Sequence, residues 1–130
     1  MALIRDDRYE EMASAYQFHL IALLDTTLKQ NGITEVKKRR KIVGTFLSQL
    51  GQFHDQGWLR SSAGSEQAYP LLCFTKTFLN TETAPEDLGD VLATSSFFSF
   101  QEYAASNTEM FFDNDPDAKV ETGSVGASEL

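Results

Sequence analysis

At 130 residues, 42% hydrophobic and 12% aromatic, the chain has the size and composition of one globular domain with a real core, not of a disordered or fibrous protein. Its net charge of −8 weighs against general nucleic-acid binding, and no apolar run approaches the roughly 18 residues at which a membrane span becomes a candidate. A single cysteine, Cys73, excludes an internal disulfide, and its place in an apolar run makes a buried, inert thiol the default.

The charge is unevenly spread. Residues 1–65 carry nine Lys/Arg against seven Asp/Glu, a balance of +2, whereas residues 66–130 carry two against twelve, a balance of −10. The two halves are electrostatically complementary, so the acidic second half, in the same chain or in a symmetry mate, is the nearest partner for any basic cluster in the first. The opening MALIRDDRYEE turns acidic after four residues and lacks the positive start and apolar core of a signal peptide, which leads us to expect a soluble, cytoplasmic protein.

From Asp6 or Asp7 to Gln30, the positions Tyr9, Met12, Tyr16, Leu20, Leu23 and Thr27 predict a helix with that stripe buried, widened by Ala13, Leu24 and Leu28. Asn31-Gly32 ends it, glycine supplying the left-handed residue that satisfies the last carbonyls. A second helix, Thr34 to His54, follows: Thr34 is placed to cap it, and Val36, Val43, Leu47, Leu50 and His54 recur on one side, with a second row at Ile42, Phe46 and Phe53. Gly57 is a natural stop. Gly44, Ser48 and Gly51 form a line without bulk, along which another backbone can approach closely. Joined by a short turn, the two helices are expected to lie antiparallel as a hairpin and bury their stripes together.

The run Lys37, Lys38, Arg39, Arg40, Lys41 opposes the macrodipole at the start of the second helix. It reads either as a solvated face whose long stems cover apolar surface, or as a site for an anion or an acidic partner. A basic helix followed by a hairpin after Trp58 is the order of parts in a winged-helix nucleic-acid binder, a reading that the acidity of the whole chain disfavours.

For 58–79 two structures compete: a short β-hairpin, and a loop over Ser61–Gln67 followed by a helix from Pro70 to Leu79. The spacing of Leu71, Phe74 and Phe78 favours the helix. Thr83-Ala84-Pro85-Glu86 has the form of a capping box for a short helix bearing Leu88, Val91 and Leu92; Ser99-Phe100-Gln101-Glu102 opens another with Phe100, Tyr103, Asn107, Met110 and Phe111. The surplus of rings at Phe97, Phe98, Phe111 and Phe112 marks a candidate interface. The acidic segment 113–130 loses its hydrophobic period and reads as a flexible tail behind a single helical domain at 1–112.

Chemistry leaves few marks. His19 and His54 lack the glutamate three residues before them that a bundle carboxylate site needs, the positions being Tyr16 and Gly51. A site joining the two histidines through Asp25 or Asp55 is therefore the less favoured reading beside ordinary boundary histidines. Asp113, Asp115 and Asp117 imitate a calcium loop, but Ala118 and Ser124 stand where glycine and glutamate are required. With no phosphate loop and no G-x-S-x-G, the sequence points to no catalytic residue, no metal and no cofactor. The expectation is thus a mostly α small bundle that works as a protein-interaction domain, most simply a homodimer; an enzyme or ligand binder would have to build its pocket around Tyr16, His19 and His54.

Overall fold

The computed structural model describes residues 2–94, 98–113 and 121–125. They form a mostly α architecture: strand β1 (Ala2–Ile4), helix α1 (Arg8–Gln30), helix α2 (Val36–Gln56), strand β2 (Phe74–Thr75), a 3-10 turn (Pro85–Leu88), strand β3 (Asp90–Leu92) and helix α3 (Phe100–Phe112). None of these helices is long and apolar enough to cross a membrane. Most of the acidic segment expected to be flexible lies outside the described residues, as do Phe97 and the aspartates of the calcium-like string after Asp113.

The long helices begin and end for local reasons. At the start of α1 the Asp6 carboxylate accepts the Arg8 backbone N–H at 3.0 Å and pairs with its guanidinium at 2.8 Å. At its end Gly32 adopts φ +87°, the Ile33 N–H donates to the Leu28 carbonyl at 2.9 Å and the Gly32 N–H to that of Lys29 at 3.1 Å, which is the Schellman arrangement expected of Asn31-Gly32. Helix α2 starts differently from the expectation. Thr34 provides no side-chain cap; Glu35 precedes the helix without one either, and the Arg39 guanidinium reaches back to the carbonyls of Thr34 (2.7 Å) and Ile33 (3.2 Å). Gly57 does end α2, turning to extended backbone while its N–H donates to the Phe53 carbonyl at 2.8 Å, and a Cβ there would clash with the Phe53 ring and carbonyl.

The buried face of α1 is the predicted one only in part: Tyr9 and Ala13 are fully buried and Leu20, Leu24 and Leu28 pack on the core, but the row is shifted. Tyr9, Ala13, Gln17, Phe18, Ile21 and Asp25 are buried, whereas Met12 and Leu23 of the predicted stripe remain 45% and 52% exposed. The reason is that the buried row, at spacings of four, carries two polar side chains that find partners from distant elements: Gln17 donates to the Phe100 carbonyl at 2.9 Å and accepts from Asn107 at 2.7 Å, and Asp25 receives Arg39. A pattern of apolar letters cannot see them. On α2, Val43 and Leu47 are buried as predicted, but Val36 is exposed and the row of Phe46 and Phe53 faces outward.

Helix α3 supplies the contacts expected between the first two helices. It packs most extensively on α2, and α1 divides its contacts between α2 and α3. Its opening Ser99 accepts the Glu102 N–H at 3.3 Å, as the capping box predicts. Two apolar clusters result, one of Tyr9, Ala13, Phe98 and Phe100, the other of Ile21, Val43, Leu47 and Ala104, separated by the buried Gln17–Asn107 pair.

The helix favoured at 70–79 does not form. Phe74 and Thr75 pair antiparallel with Leu92 and Val91, and β1 pairs parallel with β3 through Ala2↔Asp90, Leu3↔Val91 and Ile4↔Leu92, giving the order β1-β3-β2. Phe74 gains ring contacts with Tyr9 at 5.4 Å and Tyr16 at 6.2 Å, while Leu71 and Phe78, its partners on the predicted helix face, stay in solvent. Likewise the capping box at 83–86 yields only the 3-10 turn without a side-chain cap, and Val91 and Leu92 belong to a strand. The hairpin after Trp58 exists as one bridged pair: Leu59 and Ala68 exchange N–H···O bonds of 2.9 and 2.8 Å around a turn at Ser62–Ser65.

Candidate functional site

The basic run separates into members with different roles. Arg39 is buried and donates to Asp25 at 2.7 Å, the two side chains being 9% and 7% exposed, while Lys29 approaches the other Asp25 oxygen at 3.2 Å. Arg40 pairs with Asp113 at 3.2 Å, so one cation of the first half does meet the acidic second half. Lys37, Lys38 and Lys41 are exposed. Arg39 is therefore a structural member, and three lysines remain as open charge.

The predicted aromatic interface is largely interior. Phe98 is 8% exposed, set edge-on to Phe100 at 4.6 Å and stacked on Tyr103 at 4.8 Å; Phe111 and Phe112 are half-buried against the Ile21 and Leu47 cluster. Phe97 lies outside the described residues.

None of the cavities found among the described residues is lined by Tyr16, His19 or His54. Tyr16 packs on Phe74, and His54 packs its ring on Phe100 at 5.0 Å with a buried Nδ1 that has no hydrogen-bond partner among the described residues. Burial holds the His54 imidazole below its ordinary pKa, against the opposing pull of the neighbouring Asp55 carboxylate. The two aspartates considered as ligands are both engaged. Asp25 holds Arg39, and Asp55 caps α3 from across the helix pair, accepting the Phe100 N–H at 2.7 Å, the Gln101 N–H at 3.1 Å and the Ser99 hydroxyl at 2.9 Å. Among the described residues no cluster of three or more His, Cys, Asp or Glu could hold a metal ion. Cys73 is half-buried, and burial pushes its thiol pKa up, away from reactive thiolate.

That capping requires α2 and α3 to meet closely, and Gly51 permits it. A Cβ at this position would lie 2.8 Å from the Gln101 Cα and N and 2.9 Å from the Phe100 carbonyl carbon, so α3 rests along the smooth line of Gly44, Ser48 and Gly51, its first turn at Gly51 and Thr108 over Gly44. With this flank covered, the opposite flank of α2 is left open. Phe46 is 49% exposed and Phe53 38%, with Gln49, Gln52 and Gln56 around them and a shallow cleft of about 340 Å³ between Phe53, the glutamines and Gly57.

This outward face has a property that the sequence displays and hydrophobic periodicity passes over. From Ile42 to His54, thirteen consecutive residues carry no Asp, Glu, Lys or Arg in a chain that is 23% charged. On an exposed helix such a stretch is unusual, because charge is what keeps a solvated face from associating. Exposed aromatic rings with charge removed around them have the composition of the centre of a protein interface. Ile42, Phe46, Gln49, Phe53 and Gln56 follow one another at intervals of four, three, four and three, the spacing of a heptad row.

No protein-family model matches the chain, and comparison with curated proteins and with solved structures gives no match either.

Proposed function

We propose that the chain is a non-enzymatic interaction domain that pairs with a second copy of itself through the outward face of α2. The observation that carries this reading is the charge-free stretch 42–54 with Phe46 and Phe53 in solvent. Two copies each bearing −8 repel one another, and an uncharged helix face is where that repulsion is least and apolar burial greatest. A two-fold arrangement is self-complementary: Phe46 of one copy meets Phe53 of the other, and the reverse contact follows by symmetry. Glutamines between the rings fix the register at some cost in affinity, as polar seam residues do. In this reading α1 and α2 form an antiparallel hairpin with α3 laid against both, and the domain works in the cytoplasm, in keeping with its single, half-buried cysteine.

Light scattering at micromolar concentration is expected to give twice the chain mass. The double variant Phe46→Glu/Phe53→Glu, altered only at exposed positions, is expected to give the monomer mass with unchanged helical circular dichroism. Neutralising Lys37, Lys38 and Lys41 leaves the dimer intact, which separates this reading from one built on the basic run. A wild-type chain that stays monomeric at every concentration tested overturns the proposal.

A further inference from the structure

A cavity of about 380 Å³ opens between the first turns of α1, the 3-10 turn and the end of β2. Its floor is apolar, made by Met12, Phe74, Leu88 and Leu92. Phe74 is held in place by the rings of Tyr9 at 5.4 Å and Tyr16 at 6.2 Å. Met12, whose helix gives Tyr9 and Ala13 to the core, stays 45% exposed, so the cavity keeps apolar surface that the chain itself does not cover.

Part of the lining is polar and fixed in place. Thr75, the last residue of β2, donates its hydroxyl to the Leu88 carbonyl at 3.3 Å and accepts the Thr77 N–H at 3.4 Å, which ties the bend at Lys76-Thr77 to the 3-10 turn. Among the described residues the Lys76 ammonium takes part in no ion pair, and neither it nor the Thr77 hydroxyl has a hydrogen-bond partner. The other ionised groups of the lining attract one another. Arg8 is bound by Asp6 through Nε and Nη2, and the Asp90 carboxylate acts on the same guanidinium. Two adjacent residues, each with an unused donor, therefore line a cavity whose floor is apolar.

We propose that this cavity binds a small monocarboxylate with an apolar tail, of the class of medium-chain fatty acids. The carboxylate meets Lys76 and Thr77, and the tail lies against Met12, Phe74, Leu88 and Leu92. An ionised carboxylate has two oxygens that only accept, which suits an ammonium and a hydroxyl that have donors to give. The ion pair by itself would contribute little, because Lys76 is exposed; burial of the tail on the floor supplies the rest. A second carboxylate on the ligand would find Arg8 already held by Asp6, so one acid group fits and two do not. The volume lies at the small end of the range for metabolite pockets, about 300–1,000 Å³, and suits a single chain better than a two-chain lipid. This site does not rest on self-pairing through α2.

The test is an amide NMR titration of the full chain with sodium octanoate at neutral pH, beside 1-octanol, which lacks the charge, octylamine, which reverses it, and acetate, which lacks the tail. Octanoate is expected to shift the amides of Met12, Phe74, Lys76, Thr77 and Leu88 saturably, with a Kd of about 1 mM or below, and the three comparison ligands to bind about tenfold or more weakly. Lys76→Met keeps the aliphatic stem and Thr77→Val keeps the shape. The first is expected to weaken octanoate about tenfold with octanol unchanged and the second about threefold, both leaving the spectrum dispersed. Octanol, octylamine or acetate binding as tightly as octanoate overturns the proposal, as does the absence of saturable shifts at these amides up to about 10 mM octanoate.

Discussion

Replacing Arg39 with methionine removes one cation from a run of five, and its cost should be unlike that of its neighbours. The Arg39 side chain is 9% exposed and makes three hydrogen bonds, to Asp25 at 2.7 Å and to the carbonyls of Thr34 at 2.7 Å and Ile33 at 3.2 Å. Methionine fills much of the volume but leaves the Asp25 carboxylate, 7% exposed, with only Lys29 at 3.2 Å, a partner that is itself mostly in water. Breaking a buried pair from one side typically costs about 3–5 kcal/mol, and the remaining lysine places this case at the low end, about 3 kcal/mol. With a urea m value of about 1.5 kcal/mol/M, that is a fall of about 2 M in the unfolding midpoint. Lys38→Met, on the solvated side, should move the midpoint by less than about 0.3 M. The double variant Asp25→Leu/Arg39→Met should recover most of the loss, because the isolated carboxylate rather than the missing attraction is what destabilises. Equal midpoints for Arg39→Met and Lys38→Met would refute the assignment of Arg39 to the core.

Two glycines on the same line of α2 should respond in opposite directions. Gly51→Ala drives a Cβ into the backbone of Gln101 and displaces the first turn of α3, so the overpacking outweighs the helix-propensity gain and stability falls by about 1–2 kcal/mol in urea unfolding. Gly44→Ala meets only the Thr108 methyl at 3.7 Å and should gain about 0.5–1 kcal/mol; a loss there would show that α2 and α3 sit closer than described. His54 should make stability depend on pH in the acid direction. Burial holds its folded pKa below the ordinary value of 6.5, so its contribution is complete above that value and is lost as pH falls through the window beneath it. Urea midpoints measured from neutral pH downward should fall more steeply for the wild type than for His54→Leu, and parallel profiles would remove His54 from the account.

Much of the helical content was legible because its signals are local. Asn31-Gly32 ends α1 through bonds reaching back no further than Thr27, and Ser99 caps Glu102 three residues on. The small sheet was not legible, since Phe74 and Thr75 become a strand only by meeting Val91 and Leu92, and Ala2 to Ile4 only by meeting Asp90 to Leu92, two thirds of the chain length away. The apolar spacing of Leu71, Phe74 and Phe78 is compatible with a helix when those partners are out of sight. The candidate face of α2 was half legible. Its absence of charge stands in the sequence, but whether Phe46 and Phe53 point to water or to the core does not.

The order of residues by itself settled where the chain can be helical, where glycine lets it turn, and that α2 would carry a narrow flank for close approach. Tertiary structure alone decided which flank of each helix is inside. Two polar residues, Gln17 and Asp25, lie on the buried face of α1 because Asn107, the Phe100 carbonyl and Arg39 replace the water they give up. Those partners lie 14 to 90 residues away in the chain, a separation at which local periodicity carries no information. Once α3 had taken the Gly51 side of α2, Phe46 and Phe53 were left facing outward.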